Sequence, residues 1–395
     1  MDFTMNLPCE VALIIDKLRA AGFAAHVVGG AVRDSLLGRE LGDFDITTDA
    51  SPIETKATFS EYKTIDTGIK HGTVSVIINH TPYEITTYRI DGDYKDARHP
   101  DSVTFTKNIE DDLCRRDFTV NAMAYSPSDG LIDIFGGVKD AEAGIIRAVG
   151  NPFLRFDEDA LRILRALRFA SVLDFDIDKS TAAAAFDKSP LLRKVSAERI
   201  FVELKKLIMG KSSSRILREY SDIFRLILCD IPTADYPLDD ELTDVDFFTR
   251  FSAIFLLNSD TPKEDAQRAL CALKTDNLTR TRVLGALSAY NDVDFSNKRS
   301  ICHSLMSFGA EATEGALRLG LLMGKFTVDD EKRFFAVMAD DPIYSVANLN
   351  IDGRDLMSIG YSGKAVGERL NELLIAVIDG KCENTLDSMI AYLSR

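Results

Sequence analysis

The 395-residue chain contains no tryptophan, only five histidines and no long apolar run. The histidines form no H-x-x-H or H-E-x-x-H pattern, and the six cysteines lie far apart without a C-x-x-C pair. A zinc site is therefore not expected, and reduced thiols in a cytoplasmic protein are the simplest interpretation. No apolar run approaches the roughly 20 residues that cross a membrane, and the N-terminal segment does not resemble a signal peptide. We expect a cytoplasmic protein without a membrane partner.

Positive charge is scarce over the whole chain, which has 47 lysines and arginines against 62 acidic residues and a net charge of −15. Taken alone, this argues mildly against a nucleic-acid partner, because neutralising phosphates requires lysine and arginine. Residues 141–210 differ, with 12 basic and 10 acidic residues, so that their net charge is +2 and the rest carries −17. If the protein binds an RNA, this segment is where contacts are expected.

The pattern of apolar residues changes along the chain. Its first part alternates helical and strand-like stretches: a helix over 8–21, strands over 24–28 and 43–48, a helix over 31–37, and strand-like runs around a polar turn at 79–82. After residue 140 nearly every segment has helical periodicity. A chain of this length should form several domains. We therefore predict an α/β head domain, a mixed β-sheet with helices, followed by an all-α remainder.

The segment HVVGGAVRDSLLGRELGDFDITT (26–48) combines paired glycines, one arginine and two closely spaced carboxylates. Residues two apart in a strand face the same side, so Asp43 and Asp45 are predicted to lie together. Such a pair repels unless a cation lies between the carboxylates, and Mg²⁺ prefers oxygen ligands. A glycine turn ending at Gly30 before a helix lets backbone N–H groups approach phosphate, and Arg33 adds positive charge. The segment therefore predicts a triphosphate site with divalent metal.

Each part of this pattern is weak alone, since paired glycines usually form a simple turn and a lone D-x-D is usually a solvated loop. The combination, with D-x-D thirteen residues after Gly30, is far more specific. Glu84, in the strand-like run YEITTYR, is a candidate third catalytic carboxylate. It could orient a metal or act as general base toward an RNA 3′-hydroxyl. A solvent-facing strand residue is an equally weighted interpretation.

Further motifs follow in order: RRDFTVNAMA (115–124), GLIDIFGGVKDAEAGIIRAVGNP (130–152), RFDEDALRILRALRF (155–169) and SAERIFVEL (196–204). Together with GGAVRD and DFD, this series closely resembles the class II CCA-adding enzymes, the tRNA nucleotidyltransferases that share ancestry with bacterial poly(A) polymerases. Dense matching covers residues 25–210. Near the C-terminus, NIDGRDLM and GERLNELLIAVIDGK are similar to the tail of the shorter bacterial members.

The resemblance implies four parts: a nucleotidyltransferase head (1–139), a base-selecting neck (140–209), a helical body (210–310) and a helical, tRNA-binding tail (311–395). It implies that Asp43 and Asp45 are catalytic metal ligands, with Mg²⁺ as the expected ion. The implied nucleotide contacts are Gly30, Arg33, Arg116, Asp159, Arg162, Arg165 and Arg168, with Asp117 and Asn121 as weaker candidates. The sequence leaves open whether Arg115 or Arg116 faces the nucleotide.

Base selection has a physical basis in Asp159 and Arg162, which are three residues apart and so neighbours on one face of a continuous helix. An aspartate accepts from the exocyclic amine of cytosine or adenine, and an arginine donates to ring nitrogen or carbonyl oxygen. Uracil and guanine present a carbonyl in place of the amine, and each good pairing provides about 1–3 kcal/mol of discrimination. Without the other motifs, Arg162, Arg165 and Arg168 would be interpreted as a solvated basic helix face.

The expected function is template-independent addition of C, C and A to the 3′ end of tRNA from CTP and ATP, with release of pyrophosphate. The alternatives are a bacterial poly(A) polymerase, which usually carries extra basic sequence, and a CC- or A-adding enzyme. The segment between the first two motifs (88–105) looks complete, which favours full CCA addition. A non-catalytic RNA-binding relative or a metal-dependent nucleotide hydrolase is less favoured. No protein partner is implied.

Overall fold

The computed structural model describes residues 3–66, 68–92 and 103–394. The chain divides into two compact units, Met1–Ile227 and Leu228–Arg395. The segment predicted to be a complete loop between the first two motifs lies partly outside the described residues, at 93–102. The four-part division into head, neck, body and tail stays a prediction.

The strands all belong to the N-terminal unit. They are β1 (Ala25–Val28), β2 (Asp45–Thr48), β3 (Lys63–Ile65), β4 (Thr73–Ile78), β5 (Thr81–Thr87), β6 (Arg89–Asp91), β7 (Val103–Phe105), β8 (Ala124–Ser126), β9 (Gly130–Ile132), β10 (Ile145–Ile146) and β11 (Asp176–Ile177). The main sheet has the order β3-β4-β5-β2-β1-β8-β9, in which β2 and β5 are parallel and the other neighbours antiparallel. The predicted mixed sheet is thus confirmed. A short parallel pair, β10 with β11, lies in the region predicted to be all-α.

The helices of the N-terminal unit alternate with the strands at first, and after β9 most of its segments are helical. They are α1 (Cys9–Ala20), α2 (Gly30–Leu36), α3 (Pro52–Thr58), α4 (Ile109–Cys114), α5 (Gly137–Ala143), α6 (Pro152–Glu158), α7 (Leu161–Leu173), α8 (Lys179–Lys188), α9 (Ala197–Ile208), α10 (Ser213–Glu219) and α11 (Ser221–Ile227). Short 3-10 helices lie at Ile69–His71, Thr119–Asn121 and Ser189–Lys194.

The core of the head forms between α1 and the main sheet. Strand β4 alternates buried Val74 and Val76 with partly exposed neighbours, as the two-residue period of a strand requires. These side chains join the buried face of α1 in one cluster. The predicted hairpin is confirmed: Asn79 and His80 connect β4 to β5 with φ of 49° and 66°, values that suit a two-residue turn. Strand β2 is the central strand of this sheet, and β1 lies beside it.

The C-terminal unit is helical. Its helices are α12 (Phe247–Asn258), α13 (Pro262–Ala272), α14 (Asn277–Ala289), α15 (Lys298–Phe308), α16 (Ala310–Leu322), α17 (Val328–Ala339), α18 (Gly353–Ser358), α19 (Lys364–Ile378) and α20 (Leu386–Leu393), with a 3-10 helix at Val346–Asn348. Separate apolar clusters lie around Phe334 and around Leu373. Over the part of the chain that the structure describes, no helix is long and apolar enough to cross a membrane.

Candidate active site

The turn at Gly29 brings a carboxylate and a guanidinium close to the backbone. Strand β1 ends at Val28, which pairs with Asp45 at the start of β2. Gly29 has φ 74° and ψ −131°, a conformation that other residues rarely adopt. A Cβ atom there would lie 3.2 Å from Arg116 Nη1 and 4.0 Å from Asp45 Oδ2. Glycine at this position therefore allows both charged groups to border the turn.

Asp43 lies outside the strand, so the prediction that it alternates with Asp45 along one strand is wrong. The ladder between β1 and β2 ends with the pair of Val28 and Asp45, because the chain turns away at Gly29. The residues before Asp45 consequently have no partner on β1. Both carboxylates are nevertheless exposed at the surface.

The carboxyl group of Asp45 has a pKa above its ordinary value. Surrounding protein atoms displace part of the water around its carboxylate, and this desolvation raises its pKa. The negative charge of Asp43 raises the pKa further, whereas Arg116 opposes the increase. A cation bound by both carboxylates would favour their ionised forms.

The carboxylates of Asp43 and Asp45 can supply part of the coordination of a metal ion, and the phosphates of a substrate can supply further ligands. Within residues 3–66, 68–92 and 103–394, no group of three or more histidine, cysteine, aspartate or glutamate side chains could hold a metal ion by itself. Magnesium sites in enzymes that act on phosphates commonly use one or two carboxylates together with phosphate oxygens and water. Asp43 and Asp45 supply such a donor set.

Glu84 lies on β5, directly beside the strand that carries Asp45. The parallel strands β2 and β5 pair Ile46 with Ile85. The preceding residues, Asp45 and Glu84, are therefore neighbours on the same face of the sheet. The Glu84 side chain is exposed. A third carboxylate thus neighbours Asp45 in the strand register, and its part as a general base or metal-orienting group stays a prediction.

Arg116, rather than Arg115, borders the Gly29 turn. Arg116 Nη2 donates to Asp112 Oδ2 at 3.3 Å, while its Nη1 faces the turn. Arg115 donates to Asp112 Oδ1 from Nε at 3.0 Å and from Nη2 at 2.7 Å. Asp112 is fully buried, which would raise its pKa, but the two arginines outweigh burial and lower the pKa below its ordinary value. The sequence alone did not indicate which of Arg115 and Arg116 faces the nucleotide.

A chain of hydrogen bonds connects α2 with α7. Arg33 is buried, donates twice to Asp34, and donates from Nη1 to Asn121 Oδ1 at 2.6 Å. Asn121 in turn donates to Asp117 Oδ1 at 3.2 Å. Asp117 Oδ2 accepts from Arg165 at 2.8 Å and 2.6 Å. Burial acts to raise the pKa of Asp117, but Arg165 and Asn121 lower it to about 2. Asp117 and Asn121 therefore lie inside a buried network that connects the head to α7.

The continuous helix predicted to carry Asp159 and Arg162 is interrupted at Asp159. Helix α6 ends at Glu158, and Asp159 has an extended backbone with φ −141° and ψ 103°. Its Oδ1 accepts the backbone N–H of Leu161 at 3.0 Å, which satisfies an amide at the start of α7. Its Oδ2 accepts from Arg199 Nη2 at 2.8 Å. The position of this carboxylate is therefore set by α9 as well as by its own segment.

Arg162 forms its ion pair with Glu158, while Asp159 lies between α6 and α7 rather than on one continuous helix with Arg162. Arg162 Nη1 donates to Glu158 Oε2 at 2.5 Å, and Nη2 donates to the backbone oxygen of Arg115 at 3.1 Å. The backbone N–H of Arg162 still donates to the backbone oxygen of Asp159 at 3.0 Å. Arg162 is 8% exposed. The base-reading role of Asp159 and Arg162 stays a prediction.

Three guanidinium groups gather around Phe169 on α7. Their Cζ atoms lie 3.8 Å from the ring centroid for Arg168, 5.1 Å for Arg33 and 5.4 Å for Arg165. In these cation–π contacts, the electron-rich face of the ring attracts the positively charged guanidinium group. Glu203 on α9 accepts from Arg168 Nε at 2.5 Å and lies 3.8 Å from Arg165. The arginines of α7 therefore form a packed and paired cluster. Gly30, at the start of α2, borders it, since a Cβ there would lie 3.5 Å from Arg33 Nη2.

Comparison with known proteins places this arrangement in a family. The "Poly A polymerase head domain" matches residues 25–147, the "Probable RNA and SrmB-binding site of polymerase A" matches 174–222, and "tRNA nucleotidyltransferase domain 2 putative" matches 249–393. The CCA-adding enzyme of Ligilactobacillus salivarius (strain UCC118) is 38% identical over 98% of this chain and 96% of that protein. The chain belongs to the CCA-adding enzyme family. The CCA-adding enzyme of Streptococcus gordonii (strain Challis) is 37% identical over 97% of this chain and 96% of that protein.

Solved structures of CCA-adding enzymes agree with this assignment. The crystal structure of the Bacillus stearothermophilus CCA-adding enzyme in complex with CTP is similar with a TM-score of 0.84 at 33% identity, over 99% of this chain and 98% of that chain. The Thermotoga maritima CCA-adding enzyme complexed with tRNA shares the fold, with a TM-score of 0.67 at 22% identity over 98% and 94% of the two chains. Nucleotidyltransferases of the CCA-adding type generally use a divalent metal.

Four residues that the sequence analysis missed contact the predicted site residues of this CCA-adding enzyme family member: Asp112, Glu158, Arg199 and Glu203. The spacing of these residues in the sequence is the signal that could have indicated them. Glu203 follows Arg199 by four residues, which places both on one face of α9. Asp112 precedes the paired arginines by three and four residues. The contacts of α9 with α7 depend on tertiary packing, which the local spacing does not specify.

Proposed function

We propose that this chain adds C, C and A in turn to the 3′ end of tRNA without a nucleic-acid template, using CTP and ATP and releasing pyrophosphate. The observation that carries the proposal is the convergence of Asp45, Arg116 and the Gly29 turn in a chain that matches CCA-adding enzymes over nearly its full length. The relatives whose structures contain CTP, ATP or tRNA support the same substrates.

Asp43 and Asp45 hold the divalent metal in this proposal, and we propose Mg²⁺ as the ion. When bound, the ion supplies stabilisation of the triphosphate charge and lowers the pKa of the attacking 3′-hydroxyl. Arg116 neutralises phosphate oxygens from the side of the Gly29 turn. Glu84, on the neighbouring strand, accepts the proton of the hydroxyl or orients the metal.

The nucleotide lies between this site and α7. Asp159 accepts from the exocyclic amine that cytosine and adenine share, and Arg162 donates to the ring edge. Both residues have protein partners, Arg199 and Glu158, so base binding shares or replaces these contacts. The guanidinium groups of Arg33, Arg165 and Arg168 supply positive potential, whereas Asp117 and Asn121 position two of them.

In this proposal the tRNA is bound mainly outside the catalytic site. The segment 141–210 carries the positive balance of charge, and we propose that it and the helical C-terminal unit contact the RNA phosphates. This corresponds to the division into head, neck, body and tail at 1–139, 140–209, 210–310 and 311–395.

A cytoplasmic location fits this activity. The six cysteines are free in the structure, as is usual in a reducing compartment. Cell fractionation with an antibody against the protein tests this location.

The decisive experiment uses tRNA transcripts that end before the CCA sequence, after its first C and after its second C. Each is incubated with CTP, ATP or both, and the products are sized on a gel. We expect two additions from CTP alone on the shortest transcript, one from ATP on the transcript ending in CC, and three from the mixture.

Other functions give other products. A poly(A) polymerase extends with many adenosines, a partial enzyme stops after CC or adds only A, and a nucleotide hydrolase consumes nucleotide without lengthening the RNA. A non-catalytic RNA-binding relative binds the transcripts and leaves them unchanged. Any of these results would contradict full CCA addition.

A further inference from the structure

Asp112 is a buried carboxylate that connects the strand of Asp45 with Arg116. It lies on α4 and is completely inaccessible to solvent. Its Oδ1 accepts both hydrogen bonds from Arg115. Its Oδ2 accepts from Arg116 Nη2 at 3.3 Å and is 3.4 Å from the hydroxyl of Thr47. Thr47 lies on β2, two residues after Asp45. The carboxylate of Asp112 therefore contacts both β2 and Arg116.

The contact with Asp112 fixes one edge of the Arg116 guanidinium and leaves another edge near the Gly29 turn. Nη2 is bound to Asp112, while Nη1 would lie 3.2 Å from a Cβ at Gly29. Nε of Arg116 is buried and has no hydrogen-bond partner among the residues that the structure describes. Arg116 therefore keeps N–H groups that an anion at the turn could bind.

Asp112 and Asp45 compete for the same cation. Both carboxylates attract Arg116, and an arginine that paired with Asp45 would occupy oxygens that the proposed metal needs. Asp112 holds the guanidinium from the opposite side through a charge-assisted hydrogen bond. Its complete burial leaves this interaction little screened by solvent.

We infer that Asp112 is a positioning residue of the nucleotide site, which directs the free N–H groups of Arg116 toward the triphosphate and keeps Arg116 away from Asp45. This inference rests on the proposed function, because it assigns the phosphates of a nucleoside triphosphate as the anion at the turn. It predicts a defect in recognising phosphates rather than the base.

The test is equilibrium binding of CTP and CMP, measured by calorimetry on the full chain in EDTA, so that neither metal nor turnover contributes. Asp112→Asn retains the size of the side chain and removes its charge. We expect CTP binding to weaken about tenfold, as for the loss of one charge-assisted hydrogen bond, while CMP binding is unchanged. Arg116→Gln should show the same pattern. The double variant should bind CTP no more weakly than Arg116→Gln alone, because Asp112 acts through Arg116.

Two further variants keep the result interpretable. Glu110→Gln removes an exposed negative charge from the same helix and should bind both nucleotides like the wild type. If Asp112→Asn fails to fold, Asp112→Asn combined with Arg115→Gln removes one charge of each sign from the buried site, and it should still lose affinity for CTP only.

The possible failures are distinguishable. Equal weakening of CTP and CMP, or losses in Asp112→Asn and Arg116→Gln that add in the double variant, would overturn the positioning role of Asp112. A wild-type protein that binds CTP no more tightly than CMP when Mg²⁺ is present would instead contradict the proposed nucleotide site, and with it the proposed function.

Discussion

Arg199 on α9 donates a hydrogen bond to Asp159 across 2.8 Å, from a position forty residues further along the chain. The carboxylate is therefore oriented by a neighbouring helix and not by Arg162, the arginine three residues away. The other oxygen of Asp159 accepts the backbone N–H of Leu161. The acceptor that is proposed to read the base thus has its direction fixed at both oxygens before a nucleotide binds.

Replacing Asp159 by alanine should narrow the preference for CTP and ATP over UTP. The variant loses the acceptor for the exocyclic amine and also the repulsion against the uracil O4 carbonyl. The change in preference should correspond to about 1–3 kcal/mol, measured as kcat/KM for all four nucleotides. An unchanged ratio of CTP to UTP with a lowered melting temperature would show that Asp159 only stabilises the neck.

Arg199→Gln should reduce the same preference by a smaller factor, because Asp159 remains but loses the partner that orients it. The matched control is Arg193→Gln, which removes an exposed positive charge from the segment just before α9. Both variants are measured by the ratio of kcat/KM for CTP to that for UTP. A loss of preference in the control as large as in Arg199→Gln would attribute the effect to general charge rather than to the hydrogen bond.

Asp43→Ala and Asp45→Ala should each reduce nucleotide addition by more than about a hundredfold, because charge stabilisation at the reacting phosphate would be lost. Binding of tRNA, measured by filter retention, should change little, since the RNA phosphates are proposed to contact other parts of the chain. Glu40→Gln, an exposed acid on the same connection, serves as control and should retain activity. Residual addition within tenfold of the wild type would remove Asp43 and Asp45 from the catalytic role.

Asp117 should make stability depend on pH in acid. Its pKa in the folded protein is about 2, below the ordinary 3.8, so its ionised form stabilises the fold above about pH 4 and this contribution disappears as the pH falls toward 2. Asp117→Asn should therefore lower the free energy of unfolding by about 2 kcal/mol at pH 7. Denaturant titrations at pH 7, 4 and 2.5 should show the difference from wild type decreasing in that order. A difference that is constant with pH would contradict the assignment to the Asp117 charge.

Binding of tRNA should weaken as salt increases, although the protein carries a net charge of −15. Release of counterions from RNA depends on the local lysines and arginines that contact phosphates, and these are in excess in residues 141–210. The measurement is the dissociation constant for tRNA at several salt concentrations and constant pH. An affinity that does not change with salt would exclude a phosphate grip by this segment.

Local patterns predicted the parts of the fold that depend on short-range geometry. Helix α1, the hairpin at Asn79 and His80, and the strand–turn–helix at Gly29 follow from periodicity and turn chemistry. The start of β2 did not follow, because it is set by where β1 stops pairing. The break at Asp159 was also missed, because the apolar periodicity continues through it, whereas its side chain binds a backbone amide and an arginine from another helix. Which of two adjacent arginines faces the Gly29 turn likewise depends on Asp112.

The buried bond between Asp117 and Arg165 means that the stretch matched by the head-domain family model is shorter than the unit that folds. The family match to the head ends at residue 147, yet Phe118 forms a bridge with Ala148, and Asp117 depends on an arginine of α7 for its counter-charge. A fragment ending at residue 147 would expose apolar surface and leave Asp117 unpaired. The main sheet and α7 should therefore unfold in one cooperative transition, and residues 25–147 could not be exchanged between relatives without α7.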